Sequence, residues 1–299
     1  MATFQKTWSP NSPVGWLTEH LMRLTKHHGL GNDFVIALEE VNGPLNGDAT
    51  LARSLCDRRR GLGADGFIIG SRPDDGATGP DGRSIDVVMR LWNADGSRAE
   101  MSGNGIRCLG QALAMARDDH EATYAVLTDG GFRELVVHDD AAHRLATVSV
   151  TMGLVGDGPA IPKAVSERLA GDRHATADLG NPHIVVLVAD LSSVDLVGTG
   201  SWIESQFDAG INVEFIAIGS EADSLDLLVW ERGAGVTEAC GTGATAAATL
   251  AHQWGLVGRE VRVVMPGGAA EVIVASGPEE EPVLIGPSQH IATIEIPDA

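Results

Sequence analysis

A two-part α/β fold is predicted by three observations. Short strand-like runs dominate the chain, and only a few stretches carry helical spacing. A glycine-broken turn leading into a helical stretch occurs twice, at Ser102-Gly103-Asn104-Gly105 and Cys240-Gly241-Thr242-Gly243, 138 positions apart (240 − 102). A second landmark pair, Gly31-Asn32-Asp33-Phe34-Val35-Ile36 and Gly180-Asn181-Pro182-His183-Ile184-Val185, lies 149 positions apart (180 − 31). Two landmark pairs in the same order at similar offsets point to an internal duplication. The halves are expected at 22–152 and 163–299, with the boundary in 153–162 and residues 1–21 as a polar leader.

In chain order, Met22 to His28 reads as a strand and Val35 to Leu38 as a second apolar run. Asp48 or Thr50 can cap a helix through Leu51, Leu55 and Cys56, and Arg58, Arg59 and Arg60 read as its solvated end. A strand from Asp65 to Gly70 and a Gly/Asp/Pro-rich loop precede a strong strand, Ile85 to Trp92. Asn93-Ala94-Asp95-Gly96 is a hairpin signal whose return arm delivers Ser102 to its glycine turn. Ile106, Leu109 and Leu113 then recur at helical spacing to about Arg117. Strands follow near Ala125 to Leu127, Leu135 to Val137 and Leu145 to Met152.

The second half repeats this order. Strands at Ile211 to Ile218 and Leu225 to Trp230 lead through Glu231-Arg232-Gly233 to Cys240, and a helix is expected from Gly243 to Gln253. The chain closes with four strand-like runs, Val261 to Met265, Glu271 to Ala275, Val283 to Ile285 and Ile291 to Ile296.

Composition bounds the function. The 299 residues carry 41 Asp and Glu against 21 Lys and Arg, a net charge of −20, so nucleic acid and anionic membranes would be repelled. A small-molecule substrate is expected, with no nucleic-acid or membrane partner; a homodimer stays open. Three cysteines, Cys56, Cys108 and Cys240, show neither metal spacing nor a disulfide pattern, which fits a reducing, cytoplasmic compartment.

Both glycine turns suit an anion. Glycines let backbone N–H groups approach a ligand, and a helix start offers unpaired donors at the positive end of its dipole. Cys240 at such a start should have a lowered pKa, so that its thiolate acts as a base; the alternative is a small core residue.

The segments Gly29 to Phe34, Asn93 to Cys108, Gly180 to His183, Asn212 to Phe215 and Glu231 to Gly243 resemble the signature blocks of the diaminopimelate epimerase family. The resemblance implies two pseudo-symmetric halves, each a curled, mostly antiparallel sheet around a central helix, with the site between them. It implies inversion of LL-diaminopimelate to the meso form by two-base proton transfer, without a cofactor. The lysines Lys6, Lys26 and Lys163 sit in no recognisable pyridoxal phosphate setting. Gly103, Asn104, Gly241 and Thr242 would then hold the reacting carboxylate as it gains enolate character.

Carried over by position, Asn32, Asn93, Asn181 and Asn212 match substrate-contacting asparagines, whose amides serve a zwitterion with donors and acceptors. Turn chemistry is the competing reading, above all for Asn93. Arg232 suits a carboxylate and Glu231 an ammonium, although such a pair is more often a surface salt bridge. His183 matches a histidine near the catalytic pair and is otherwise a structural histidine.

Two positions depart from the family. Gly66 stands where glutamine is frequent. Ser102 stands where the first catalytic cysteine is expected, and an unassisted hydroxyl is a far weaker acid than a thiol. Cys108, six residues on, would lie about 9 Å along the helix axis and round its far side. Three readings follow: a natural Ser/Cys pair, a Cys-to-Ser variant, or a homologue without proton transfer on one face. The alternatives in function are a related amino-acid racemase, a hydroxyproline dehydratase-like enzyme, or an inactive substrate-binding homologue.

Overall fold

The computed structural model describes residues 21–80 and 82–297. The leader, apart from Leu21, lies outside the described residues. Up to residue 157 the chain forms strands β1 (Leu21–Gly29), β2 (Asn32–Leu38), β3 (Gly66–Ser71), β4 (Val87–Asn93), β5 (Arg98–Ala99), β6 (Glu121–Thr128), β7 (Gly131–Asp139), β8 (Leu145–Thr151) and β9 (Gly156–Asp157). Helices α1 (Glu39–Asn42), α2 (Ala49–Cys56) and α3 (Gly103–Arg117) intervene. The remainder forms β10 (Arg173–Asp178), β11 (Pro182–Leu187), β12 (Asn212–Ile218), β13 (Ser224–Glu231), β14 (Gly235–Thr237), β15 (Glu260–Met265), β16 (Gly268–Ile273) and β17 (Val283–Pro297), with α4 (Lys163–Arg168), α5 (Leu196–Glu204) and α6 (Gly241–Gln253).

Local chemistry accounts for the element ends. Asp48 caps α2 by accepting the Thr50 and Leu51 N–H groups, each at 2.8 Å. Asp118 closes α3 in the left-handed region, φ 59°. Gly96, φ 83°, turns the hairpin between β4 and β5.

The pairings repeat between halves. Strands β2 and β3 are parallel, β3 and β4 antiparallel, and β4 and β6 parallel. Likewise β11 and β12 are parallel, β12 and β13 antiparallel, and β13 and β15 parallel. In the first half each strand bonds the next through β1, β2, β3, β4, β6, β7, β8 and β17, and β17 returns to β1. The curled sheet thus closes around α3, whose residues Gly103 to Ala114 are all buried. Helix α6 is enclosed in the same way from Gly241 to Ala251, so glycine, alanine and threonine fill its surface where the sheet approaches on every side.

Two strands join the halves. β8 pairs with β17, and the chain running on from β8 into β9 reaches β10. The pair Val148 and Gly286 is its own equivalent under the 138-residue offset (286 − 148), so the pseudo-twofold axis passes there. Gly103 and Gly241 are likewise equivalent and meet directly, as described below.

Several elements differ from expectation. The runs at Val283 to Ile285 and Ile291 to Ile296 are one strand, β17, because its first part serves β8 and β16 while its second part serves β1. Helix α5 forms in a stretch rich in Gly, Thr and Ser, where packing outweighs propensity: Gly200 lies so close to Trp230 that an added Cβ would come within 2.6 Å of the Trp230 Cβ. Arg58, Arg59 and Arg60 are exposed just past α2, and Arg58 in addition bridges Asp33 and Asp65, each at 2.7 Å. Among the described residues no helix is long and apolar enough to cross a membrane.

Candidate active site

The site sits where α3 and α6 begin. Ser102 caps α3 in an extended conformation (φ −139°, ψ 123°), and its Oγ accepts the Gly105 N–H at 3.1 Å. Cys240 caps α6 with nearly the same backbone (φ −129°, ψ 116°), and its Sγ accepts the Gly243 N–H at 3.4 Å. Between them the helix starts touch. A Cβ added to Gly241 would stand 2.9 Å from the Gly103 Cα, and one on Gly103 would stand 3.0 Å from the Gly241 Cα. Two positive helix ends therefore converge, with the N–H groups of Gly103, Asn104, Gly241 and Thr242 lacking any intrahelical acceptor. Such a place favours a carboxylate.

Around α3, Asn104 is buried and donates to Ala239 O at 3.0 Å and to Asn32 Oδ1 at 3.3 Å. Asn32 donates in turn to Asp65 Oδ2 at 2.9 Å. Behind Asn104 lies Arg107, which local sequence reasoning missed. Its side chain is fully buried and serves three neutral acceptors: Asn104 Oδ1 at 2.8 Å, Gly103 O at 3.2 Å and Pro287 O at 3.4 Å. No carboxylate pairs with it among the described residues, and burial pulls its pKa down to about 10. An arginine between Ile106 and Cys108 inside an apolar helix was the available signal.

Around α6, Thr242 Oγ1 lies 3.5 Å from Cys240 Sγ and accepts from Asn181 at 3.3 Å. Asn181 Oδ1 faces His183 Nε2 at 3.1 Å, and His183 Nδ1 faces Glu214 Oε1 at 2.7 Å. The His183 and Glu214 side chains are both fully buried. Glu214 was also missed, although an acid in the apolar strand Val213 to Ile216 was a readable signal. Its second oxygen, Oε2, has no partner among the described residues. Register explains the grouping, since His183 on β11 is paired with Asn212 on β12.

The electrostatics of Cys240 reverse the expectation from its position. Burial pushes the thiol well above its usual pKa, and the Glu231 and Glu214 carboxylates push it further, while the Thr242 hydroxyl and Gly243 N–H oppose them. The helix end acts as foreseen but is outweighed by desolvation and two acids from distant strands. Cys240 in this setting is thus favoured as a thiol. Cys108 is fully buried, its thiol pushed up to about 12 by burial. Burial also raises the Glu231 carboxyl, and Thr237 Oγ1 donates to Glu231 Oε1 at 2.5 Å.

Other expected residues divide. Asn212 accepts the Arg232 N–H at 2.9 Å and donates to Pro182 O at 3.0 Å, so its amide is spent on holding two loops. Among the described residues the exposed Arg232 guanidinium reaches only Ala209 O, at 3.5 Å, and makes no salt bridge with Glu231. Asn93 donates to Ser97 Oγ at 3.0 Å inside its own turn. Gly66 is tightly packed: an added Cβ would meet the Phe34 ring and Trp92 O at 3.0 Å, so a side chain there needs the Phe34 ring or the β4 backbone to shift.

A family model described as diaminopimelate epimerase matches residues 24–156 and 175–291. The diaminopimelate epimerase of Synechococcus elongatus is 36% identical over 263 residues, covering 84% of this chain and 90% of that protein. That of Synechocystis is 37% identical over 281 residues, covering 90% and 97%. That of Rhizorhabdus wittichii is 37% identical over 278 residues, covering 92% and 95%. Among solved structures, a hydroxyproline epimerase from Agrobacterium vitis superposes with a TM-score of 0.70 at 17% identity, covering 95% of this chain and 94% of that one. A phenazine biosynthesis protein of the PhzF family from Bacillus anthracis gives 0.68 at 11% identity, covering 92% and 99%. These two likenesses concern the fold.

Proposed function

The chain belongs to the diaminopimelate epimerase family, and from that membership we propose that it inverts one α-carbon of LL-diaminopimelate to give the meso form, with Cys240 and Ser102 as the proton-transfer groups. It is an isomerase. The observation that carries the assignment of groups is the matched pair of caps, Ser102 and Cys240, at two helix starts whose first glycines touch.

The proton steps follow from the groups at hand. Cys240 passes its proton to the neighbouring Glu231, and the thiolate takes the α-hydrogen. The carbanion spreads charge onto the substrate carboxylate, which the N–H groups of Gly103, Asn104, Gly241 and Thr242 hold. The Ser102 hydroxyl donates to the opposite face, and its alkoxide regains a proton released from Glu231 through solvent. Serine is adequate as the acid in this direction and poor as the base in reverse. Asn32, Asn181 and His183 position the pocket, while Arg232 suits a carboxylate of an amino acid; Glu231 serves as the acceptor of the Cys240 proton and not as the ammonium partner. Three buried, unpaired cysteines fit a reducing compartment, so the reading includes a cytoplasmic enzyme with halves at 22–152 and 163–299.

The test is incubation with LL-diaminopimelate in deuterated water, following configuration and deuterium at the α-carbons. Inversion with one deuterium gained supports the paired mechanism. Exchange with retention means that Cys240 works alone and the two-base reading fails for this chain. If neither occurs, Ser102→Cys is the decisive variant: restored inversion identifies a disabled epimerase, and no rescue removes the proposed substrate.

A further inference from the structure

At the far end of α3, about 22 Å from Ser102 along the helix axis, three side chains with no role in the proposed reaction converge. Asp118 is the left-handed cap of α3, His120 follows it, and His143 lies in the turn between β7 and β8. One ligand atom from each lies within 4.8 Å of the others. The His143 Nε2 is already 3.4 Å from Asp118 Oδ1, and the His120 and His143 rings stack at 4.8 Å between centroids.

The second observation is behind His143. Its Nδ1 is 2.7 Å from Asp139 Oδ2, and the Asp139 side chain is fully buried. Asp139 also accepts from the buried Gln111 at 3.3 Å. A buried carboxylate on Nδ1 fixes the ring orientation and turns Nε2 toward Asp118, where a cation would take the place of the Nε2 proton. Metal-binding histidines are oriented in this way. The backbone is held as well: Asp139 N–H donates to His120 O at 2.8 Å, and Gln111 Nε2 to His143 O at 3.3 Å. The negative end of the α3 dipole adds attraction for a cation.

We propose that Asp118, His120 and His143 form a binding site for a late first-row divalent cation such as Zn²⁺, which staples the end of the central helix to the β7–β8 turn. Two imidazoles and a carboxylate are borderline donors suited to zinc, and water would complete four-coordination. Zinc ligands at about 2.0–2.1 Å in a tetrahedron lie roughly 3.3 Å apart. The Asp118 and His143 atoms already have that spacing, and the exposed His120 needs a small rotation.

The experiment uses the full chain without an affinity tag. Co²⁺ is titrated while its visible absorption is followed, and Zn²⁺ is then added as competitor. One saturable equivalent, displaced by zinc and lost in His120→Ala and His143→Gln, is expected. Asp139→Asn should weaken binding about 10- to 100-fold, as loss of a carboxylate behind a ligating histidine does. His120 is exposed, so its variant reports on ligation without disturbing the core. Zinc should raise the melting temperature of the parent protein and leave His120→Ala unchanged. Absence of a saturable equivalent, or one retained in His120→Ala, overturns the proposal. The readout is binding, so it stands apart from the epimerase reading.

Discussion

Gly241→Ala isolates the contact between the two helix starts, on which the proposed reaction depends. The new Cβ would stand 2.9 Å from the Gly103 Cα and 2.9 Å from Leu284 Cδ2. Carbon atoms rest at about 3.5–4.0 Å, so the helix starts must part by roughly 0.6–1.1 Å. Leu284 can rotate away, but the Gly103 backbone cannot. Overpacking of this kind costs about 1–3 kcal/mol, which a folded chain of this size tolerates. A displacement near 1 Å between reacting groups costs about 100-fold in rate. The expected result is a protein that melts cooperatively a few degrees lower and exchanges the substrate α-hydrogen about 100-fold more slowly. Gly103→Ala meets the mirror contact at 3.0 Å, so the two variants combined should lose less than the product of their separate effects. Gly277→Ala, where the added Cβ meets nothing within 4 Å among the described residues, serves as the control. Parent-like exchange in Gly241→Ala would refute the claim that the glycine contact sets the geometry of the caps.

Two further outcomes follow from buried groups. His27 is 0% exposed, and burial holds its pKa down to about 3 against 6.5 in the unfolded chain. Between those values the unfolded state binds the extra proton, so stability is full above pH 6.5 and falls as pH drops. The loss is about 3 kcal/mol by pH 4.5, at roughly 1.4 kcal/mol per pH unit; urea midpoints across pH 4.5–7.5 should show it in the parent and a flatter profile in His27→Leu. Arg107→Lys keeps the charge but cannot serve Asn104, Gly103 and Pro287 at once. It should lose about 1–3 kcal/mol in denaturant unfolding at an unchanged slope, together with substrate turnover; parent-like values for both would show that the guanidinium fork is dispensable.

Much of the architecture was legible because its signals are local or periodic. The 138-residue offset between the glycine turns recurs in the register, which pairs Val148 with Gly286. Helix starts at Ser102 and Cys240 were readable because glycine freedom and unpaired N–H groups are properties of a few consecutive residues. The Asp48 cap and the Gly96 turn belong to the same class.

Tertiary structure decided the rest. That β17 is one strand serving both halves depends on which edges lie beside it, and no run within Val283 to Pro297 states that. The protonation of Cys240 turned first on burial, which composition does not reveal, and then on Glu231 and Glu214, brought beside it by β13 and β12. Asn93 shows the opposite case, a residue of suitable type whose amide is taken up by its own turn. The Asp118, His120 and His143 cluster joins a helix end to a turn more than twenty residues away, and Asp139 orients it from inside the core. The chain alone thus determined where donors and turns form, since those energies arise within a few residues. Only folding decided which charges share a desolvated space, because Coulomb and desolvation energies depend on distances through space.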